Sequence, residues 1–261
     1  MGTSVLGSFV YETYYLGLRT TRRFLRVPAN WVSILFFPLI QLLAFSQLYQ
    51  DIVRLPGFGE ETSYLAYLAP GQVAFTALMA VAWSGYGLLL EYRSGYLDKL
   101  RANPIGRWSI LAGEMVPLFL QAATMAGIIL AVSLLLGAEL VTGPGGFLLI
   151  VLLSGGLGLA FAGTSFIPAL LTKSEQATST LSLLLFPLVF LSTAFVLETL
   201  MPGWMQVFNS WNPITFVIEA IRALMTTGYD WNALAAALLS IVVLGGVFQA
   251  LTLWAFRRLA R

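Results

Sequence analysis

Residues 172–179, TKSEQATS, interrupt what would otherwise be one apolar run from 146 to 197. A helix needs about 20 residues to cross about 30 Å of hydrocarbon at 1.5 Å per residue. An unbroken helix across this run would be far too long, so the polar patch marks a boundary between two spans. Working outward from it, the apolar stretches are 31–49, 65–90, 109–137, 146–171, 178–197 and 232–256. They predict an all-α integral membrane protein of six transmembrane helices, a single domain over 1–261.

Composition agrees. Of 261 residues 58% are hydrophobic and mean hydropathy is +0.84, whereas soluble domains hold roughly 45–50% apolar residues. A net charge of +2 gives no reason to expect nucleic acid. With no cysteine and no histidine, disulfides, thiolate nucleophiles and Cys-based metal sites are excluded, and the commonest general base is missing. All three aspartates (Asp51, Asp98, Asp230) fall in loops, and no G-x-S-x-G occurs, so nothing points to a membrane enzyme. Arg19, Arg22, Arg23 and Arg26 follow the first apolar stretch instead of preceding it, unlike a cleavable signal.

Charge orients the six spans. With both termini on one side, that side collects Arg19–Arg26, then Arg93, Lys99, Arg101 and Arg107, then Lys173, and finally Arg257, Arg258 and Arg261, twelve of the fourteen basic residues. Such asymmetry places both termini in the cytoplasm. The loop EYRSGYLDKLRANPIGRW (91–108) then faces the cytoplasm with six charges in a chain that is only 10% charged. Tyr92, Tyr96, Leu97 and Leu100 share one helical face, and Asn103-Pro104 ends the segment. An amphipathic helix over 91–104, lying across the membrane surface, is expected; a solvated linker is the plainer alternative.

Three further features stand out. The first 28 residues could lay Val5, Leu6, Phe9, Val10 and Tyr14 on lipid with the arginines at the basic end. Residues 198–231 carry Met201, Trp204, Met205, Phe208 and Trp211, too apolar for a free loop and too interrupted for a span. There Asn212 caps a helix with Pro213 at its first position, and Glu219 and Arg222 are spaced to pair. This predicts a re-entrant outer hairpin over 198–228. Glu114 is an acid inside span three, expected to snorkel or pair with Arg107. Gly156, Ala160 and Thr164 form a small-residue packing stripe, and Pro187 kinks span five.

The order Glu91-x-Arg93-x-Gly95-x-Leu97-Asp98-x-Leu100, followed by Pro104-Ile105, resembles the cytoplasmic signature of ABC-2 type permeases, the membrane subunits of ATP-binding-cassette exporters. YLAPG (67–71) and LETLMPGWMQVFNSWNPITFVIEAIRALMTTG (197–228) resemble that family's approach to span two and its outer segment. Within the family the chain looks most like the daunorubicin-resistance type. The resemblance implies that 91–104 is a coupling helix seated on a nucleotide-binding ATPase subunit, through Glu91, Arg93, Gly95, Leu97, Asp98, Leu100 and Pro104. Lys173 and Glu175 are expected as a secondary contact with it. It implies two copies of that subunit, a second permease copy in a homodimer, and a bacterial or archaeal inner membrane. No G-x-x-x-x-G-K-[ST] is present, so ATP and Mg would sit on the partner and this chain would carry no cofactor. Phe75, Trp83 and Tyr86 of span two and Phe186, Phe190 and Phe195 of span five are the candidate pathway for an amphipathic drug or lipid. Trp204, Phe208, Asn212, Pro213, Glu219 and Arg222 are the candidate outer gate. A lipid-linked glycan is the alternative cargo. An ion-coupled secondary transporter is the alternative mechanism, although no internal repeat and only Glu114 speak for it.

Overall fold

A computed structural model describes residues 5–26, 28–54, 63–95, 106–183 and 185–259. Among these, all regular structure is helical. Helix α1 (Val5–Leu25) is followed by α2 (Pro28–Leu48), a 3₁₀ turn (Gln50–Arg54), α3 (Tyr64–Val81) and α4 (Ser84–Arg93). Then come α5 (Arg107–Leu135), α6 (Gly143–Phe161), α7 (Gly163–Thr172), α8 (Glu175–Ser182) and α9 (Leu185–Phe190). A second 3₁₀ turn (Glu198–Leu200) precedes α10 (Gly203–Trp211), α11 (Pro213–Thr226) and α12 (Trp231–Leu259).

Local chemistry sets these boundaries. Ser63 Oγ accepts from the Ala66 N–H at 3.2 Å and Asn212 Oδ1 from the Ile214 N–H at 3.0 Å, each satisfying an orphan donor of a first turn. Asp230 Oδ1 caps α12 through the Asn232 and Ala233 N–H groups. The Asn212-Pro213 start is the one read from the sequence.

Five of the apolar stretches form rods long and apolar enough to cross a membrane: Trp31–Leu48, Tyr64–Arg93, Ala112–Leu135, Gly143–Thr172 and Trp231–Arg258. Two of the five are broken at mid-length. α3 passes into α4 through a turn at Ala82–Trp83, and α6 into α7 at Ala162. The breaks pack together, for the Gly85 N–H donates to Ser165 Oγ at 2.9 Å. A Cβ on Gly85 would lie 2.8 Å from the Ser165 carbonyl carbon, so only glycine allows this approach.

The stretch at 178–197 is not one continuous helix. It comprises the end of α8, the short α9 and turns over 191–195. Pro187 sits in the first turn of α9, where its missing N–H does no harm. At the end of α9, Val189 O accepts from both the Ser192 N–H at 3.1 Å and the Ser192 hydroxyl at 2.6 Å.

α3 is the axis of the bundle, with sixteen of its eighteen residues buried. It packs on α2, α5, α6 and α11. At the periphery α12 exposes Leu238, Leu239, Val242, Val243 and Val247, an apolar outer wall appropriate to lipid. The small-residue stripe of α6 meets α12: a Cβ on Gly156 would touch Ile241 at 3.3 Å, and one on Gly245 would touch Ala160 at 3.5 Å.

Candidate functional site

At the basic end, α4 finishes at Arg93 and turns through Gly95, whose φ of +69° suits glycine. Leu97, Asp98, Leu100 and Pro104 lie outside the described residues. Glu91 and Arg93, read from the sequence as equivalent surface charges, diverge. Glu91 is 6% exposed, turned inward, and ion-paired to Arg19 of α1 at 3.1 Å. Two residues on, Arg93 points outward and ion-pairs with Glu175 in the first turn of α8. Lys173, in the left-handed conformation that ends α7, holds its Nζ 4.8 Å over the Tyr92 ring. Tyr86 donates to Glu175 O at 3.3 Å and shares a hydrogen bond with Ser179. The segments around 91–95 and 173–179 therefore form one exposed polar surface.

The N-terminal helix is tied to the bundle as well as apolar. Glu12 Oε2 accepts from the Gly106 N–H at 3.1 Å, an acid placed at the positive end of α5. Thr20 donates to Glu114 at 3.2 Å. Between them Gly17 and Gly113 bring α1 and α5 so close that a Cβ on Gly113 would stand 2.5 Å from Leu16 Cβ. Phe9, Val10 and Tyr14 stay exposed. Arg19→Ala is expected to lower stability by about 2 kcal/mol, because its ion pair holds a buried acid. Glu91→Ala should do similar harm. A melting temperature unchanged by Arg19→Ala would show that this clamp is idle.

Deeper in, Phe75 is fully buried and is a hub for aromatic contacts. Its ring centroid lies 6.1 Å from Phe37, 6.0 Å from Phe186 and 6.0 Å from Phe195, and Phe195 lies 5.4 Å from Phe190. Four of the six candidate pathway aromatics are thus one cluster. Trp83 stands at the α3–α4 break, whereas Tyr86 belongs to the basic-end surface. Beside the cluster is a cavity of about 580 Å³ lined by Phe24, Phe37, Met79, Trp83 and Phe186, with Ser33, Ser84 and Gln121 as polar groups. The Gln121 amide donates to Ala80 O at 2.8 Å.

At the opposite end the outer residues divide into two sets. Trp204 and Phe208 are exposed with Val207 and Trp211, on one face of α10. Asn212 is buried and donates to Leu188 O at 2.6 Å. Glu219 and Arg222 of α11 are ion-paired. Arg222, whose side chain is 12% exposed, also donates to Thr193 O at 2.8 Å and lies 4.2 Å over the Tyr67 ring. Thr193 Oγ1 donates to Glu219 at 2.5 Å, and Tyr67 donates to Thr193 O at 2.9 Å. Thr193 went unread in the sequence and Tyr67 entered only as the first residue of YLAPG, since neither spacing nor charge marks a role for either here. Among the described residues no group of acids could hold a metal.

This is a multi-pass helical membrane protein. The ABC-2 type transporter family matches residues 11–226, and the chain belongs to that family of permease subunits of ABC transporters. It is 28% identical over 247 residues to the daunorubicin resistance ABC transporter permease protein DrrB1 of Streptomyces coeruleorubidus, covering 92% of this chain and 83% of that protein. It is 29% identical to the putative transport permease ycf38 of Cyanophora paradoxa, covering 83% and 74%. It is 24% identical to the probable multidrug ABC transporter permease YbhR of Escherichia coli K12, covering 80% of this chain and 56% of that protein.

Proposed function

We propose that two copies of this chain form the membrane half of an ATP-driven exporter that moves an amphipathic drug or lipid-like molecule out of the cytoplasm or inner leaflet of a bacterial or archaeal cell. Two nucleotide-binding subunits supply ATP hydrolysis with Mg. Both termini face the cytoplasm, α1 rests at the membrane interface, and 178–197 serves as the fifth of six spans despite its broken helix. Residues 91–104 couple to the motor, Lys173 and Glu175 add a second contact, and 198–228 form a re-entrant hairpin that closes the outer end.

The observation carrying this reading is the exposed surface in which Arg93, Glu175, Lys173 and Tyr92 join two separate segments. A motor pushing on either segment moves α4 and α8 together, and through them the helices that bear the aromatic cluster. Arg93→Ala tests it. An exposed ion pair contributes little to folding, so the melting temperature should shift by less than about 0.5 kcal/mol equivalent. Losing one member of a docked charge pair costs about 2–5 kcal/mol, so substrate-stimulated ATPase activity with the partner should fall at least about tenfold. Full stimulation by the variant would overturn the coupling role.

A further inference from the structure

The α3–α4 break leaves one polar group with no role in the fold. Ser84 Oγ is buried and makes no hydrogen bond, although a buried hydroxyl without a partner is unfavourable. Ser84 is the first residue of α4 and lines the 580 Å³ cavity beside Trp83 and Phe186. That volume lies within the usual range of small-molecule sites. Serine has three staggered χ1 wells, so rotation about one bond is the only freedom its hydroxyl has for meeting a ligand there. No Lys, Arg, Asp or Glu is among the described residues that line the cavity. A charged group placed against these residues would be desolvated with no counter-ion from any of them.

We propose that this cavity binds the uncharged, ring-bearing part of a small molecule, packed against Trp83, Phe186 and Phe37, with Ser84 Oγ as the hydrogen-bonding partner of a hydroxyl or carbonyl on that ligand. Calling the ligand cargo rests on the transport reading above; its binding does not. The break in the helix is what makes the site, because a continuous helix would carry Ser84 in a regular turn with its hydroxyl returned to a backbone carbonyl.

The test uses the full chain in phosphatidylcholine nanodiscs, without any ATPase. The protein has no native thiol, so Ser33→Cys places one reporter on the cavity wall and Val242→Cys another on the lipid-facing surface of α12. Labelling by N-ethylmaleimide is followed against 1-hydroxypyrene, pyrene and pyrene-1-sulfonate at matched membrane-bound concentrations. Saturable protection of the cysteine at 33 by 1-hydroxypyrene is expected, with none at 242 and none from the sulfonate. Adding Ser84→Ala should raise the half-protecting concentration of 1-hydroxypyrene about tenfold, the loss of one hydrogen bond, and leave that of pyrene unchanged. The melting temperature of Ser84→Ala should be no lower than the parent's, because that hydroxyl has no hydrogen-bond partner in the folded chain. Equal protection by the sulfonate, equal protection at 242, no saturation, or indifference to Ser84→Ala would each overturn the proposal. Protection that persists while export fails would refute the transport reading alone.

Discussion

Gly71→Ala should destabilise the centre of the bundle by at least about 3 kcal/mol, the upper range for overpacking a close-packed core. A Cβ at position 71 would stand 2.6 Å from Ala194 Cα and 2.7 Å from its carbonyl carbon. These are backbone atoms, which cannot rotate aside as the tip of a flexible side chain can. The same turn carries Thr193 and Phe195, whose carbonyls accept from Tyr67 and Tyr64 of α3 at 2.9 and 3.0 Å, so retreat from the methyl would also strain those bonds. Gly87→Ala is the control. Nothing lies within 4 Å of a Cβ there, and alanine in a helix interior is favoured over glycine by up to about 1 kcal/mol. Thermal denaturation of the purified variants checks both, and a Gly71→Ala protein that melts like its parent would mean that α3 and 193–195 do not approach this closely.

The second large effect is at Arg222. Its removal breaks an ion pair, a hydrogen bond to Thr193 O and a cation–ring contact in one step. Breaking a fully buried pair destabilises by about 3–5 kcal/mol; because the Glu219 side chain is 43% exposed, about 2 kcal/mol is expected for Arg222→Ala. Arg222→Lys should recover only part, because a single ammonium lacks the planar fork that reaches Glu219 and Thr193 together and the flat face that lies on Tyr67. Replacing the pair by Arg222→Met with Glu219→Leu should harm stability less than Arg222→Ala alone, since an apolar pair leaves no buried charge unmatched. A double-mutant cycle reads the coupling directly. Additive single effects would show that the four residues do not act as a unit.

Periodic and local features were legible in the sequence: the apolar stretches, the Asn212-Pro213 cap and the Glu219–Arg222 spacing all depend on neighbours within one helix. What escaped depends on contacts across the chain. Glu91 read as a surface charge because its own helix gives it no partner; Arg19, on another element, makes it internal. Glu114 found Thr20 in the same way. The break at Ala82–Trp83 has no proline to announce it, while Pro38, Pro70 and Pro117 lie inside helices that continue through them. Tertiary packing of Gly85 on Ser165 settles that break, and single-sequence periodicity does not contain it. The broken course of 178–197 was not legible from Pro187, which sits in the first turn of α9 without breaking it; the turns over 191–195 sit where α3 and α11 hold residues 193–195.

The clamp on α1 also bears on how the protein is made. Glu12 reaches Gly106 and Thr20 reaches Glu114, each 94 residues further along. At about 5–20 residues per second of synthesis, that separation corresponds to roughly 5–20 s during which α1 exists and these two partners do not. Phe9, Val10 and Tyr14 are exposed in the assembled chain. α1 is thus made well before α5, whose arrival adds these two contacts to the ion pair that Arg19 makes with Glu91 of α4.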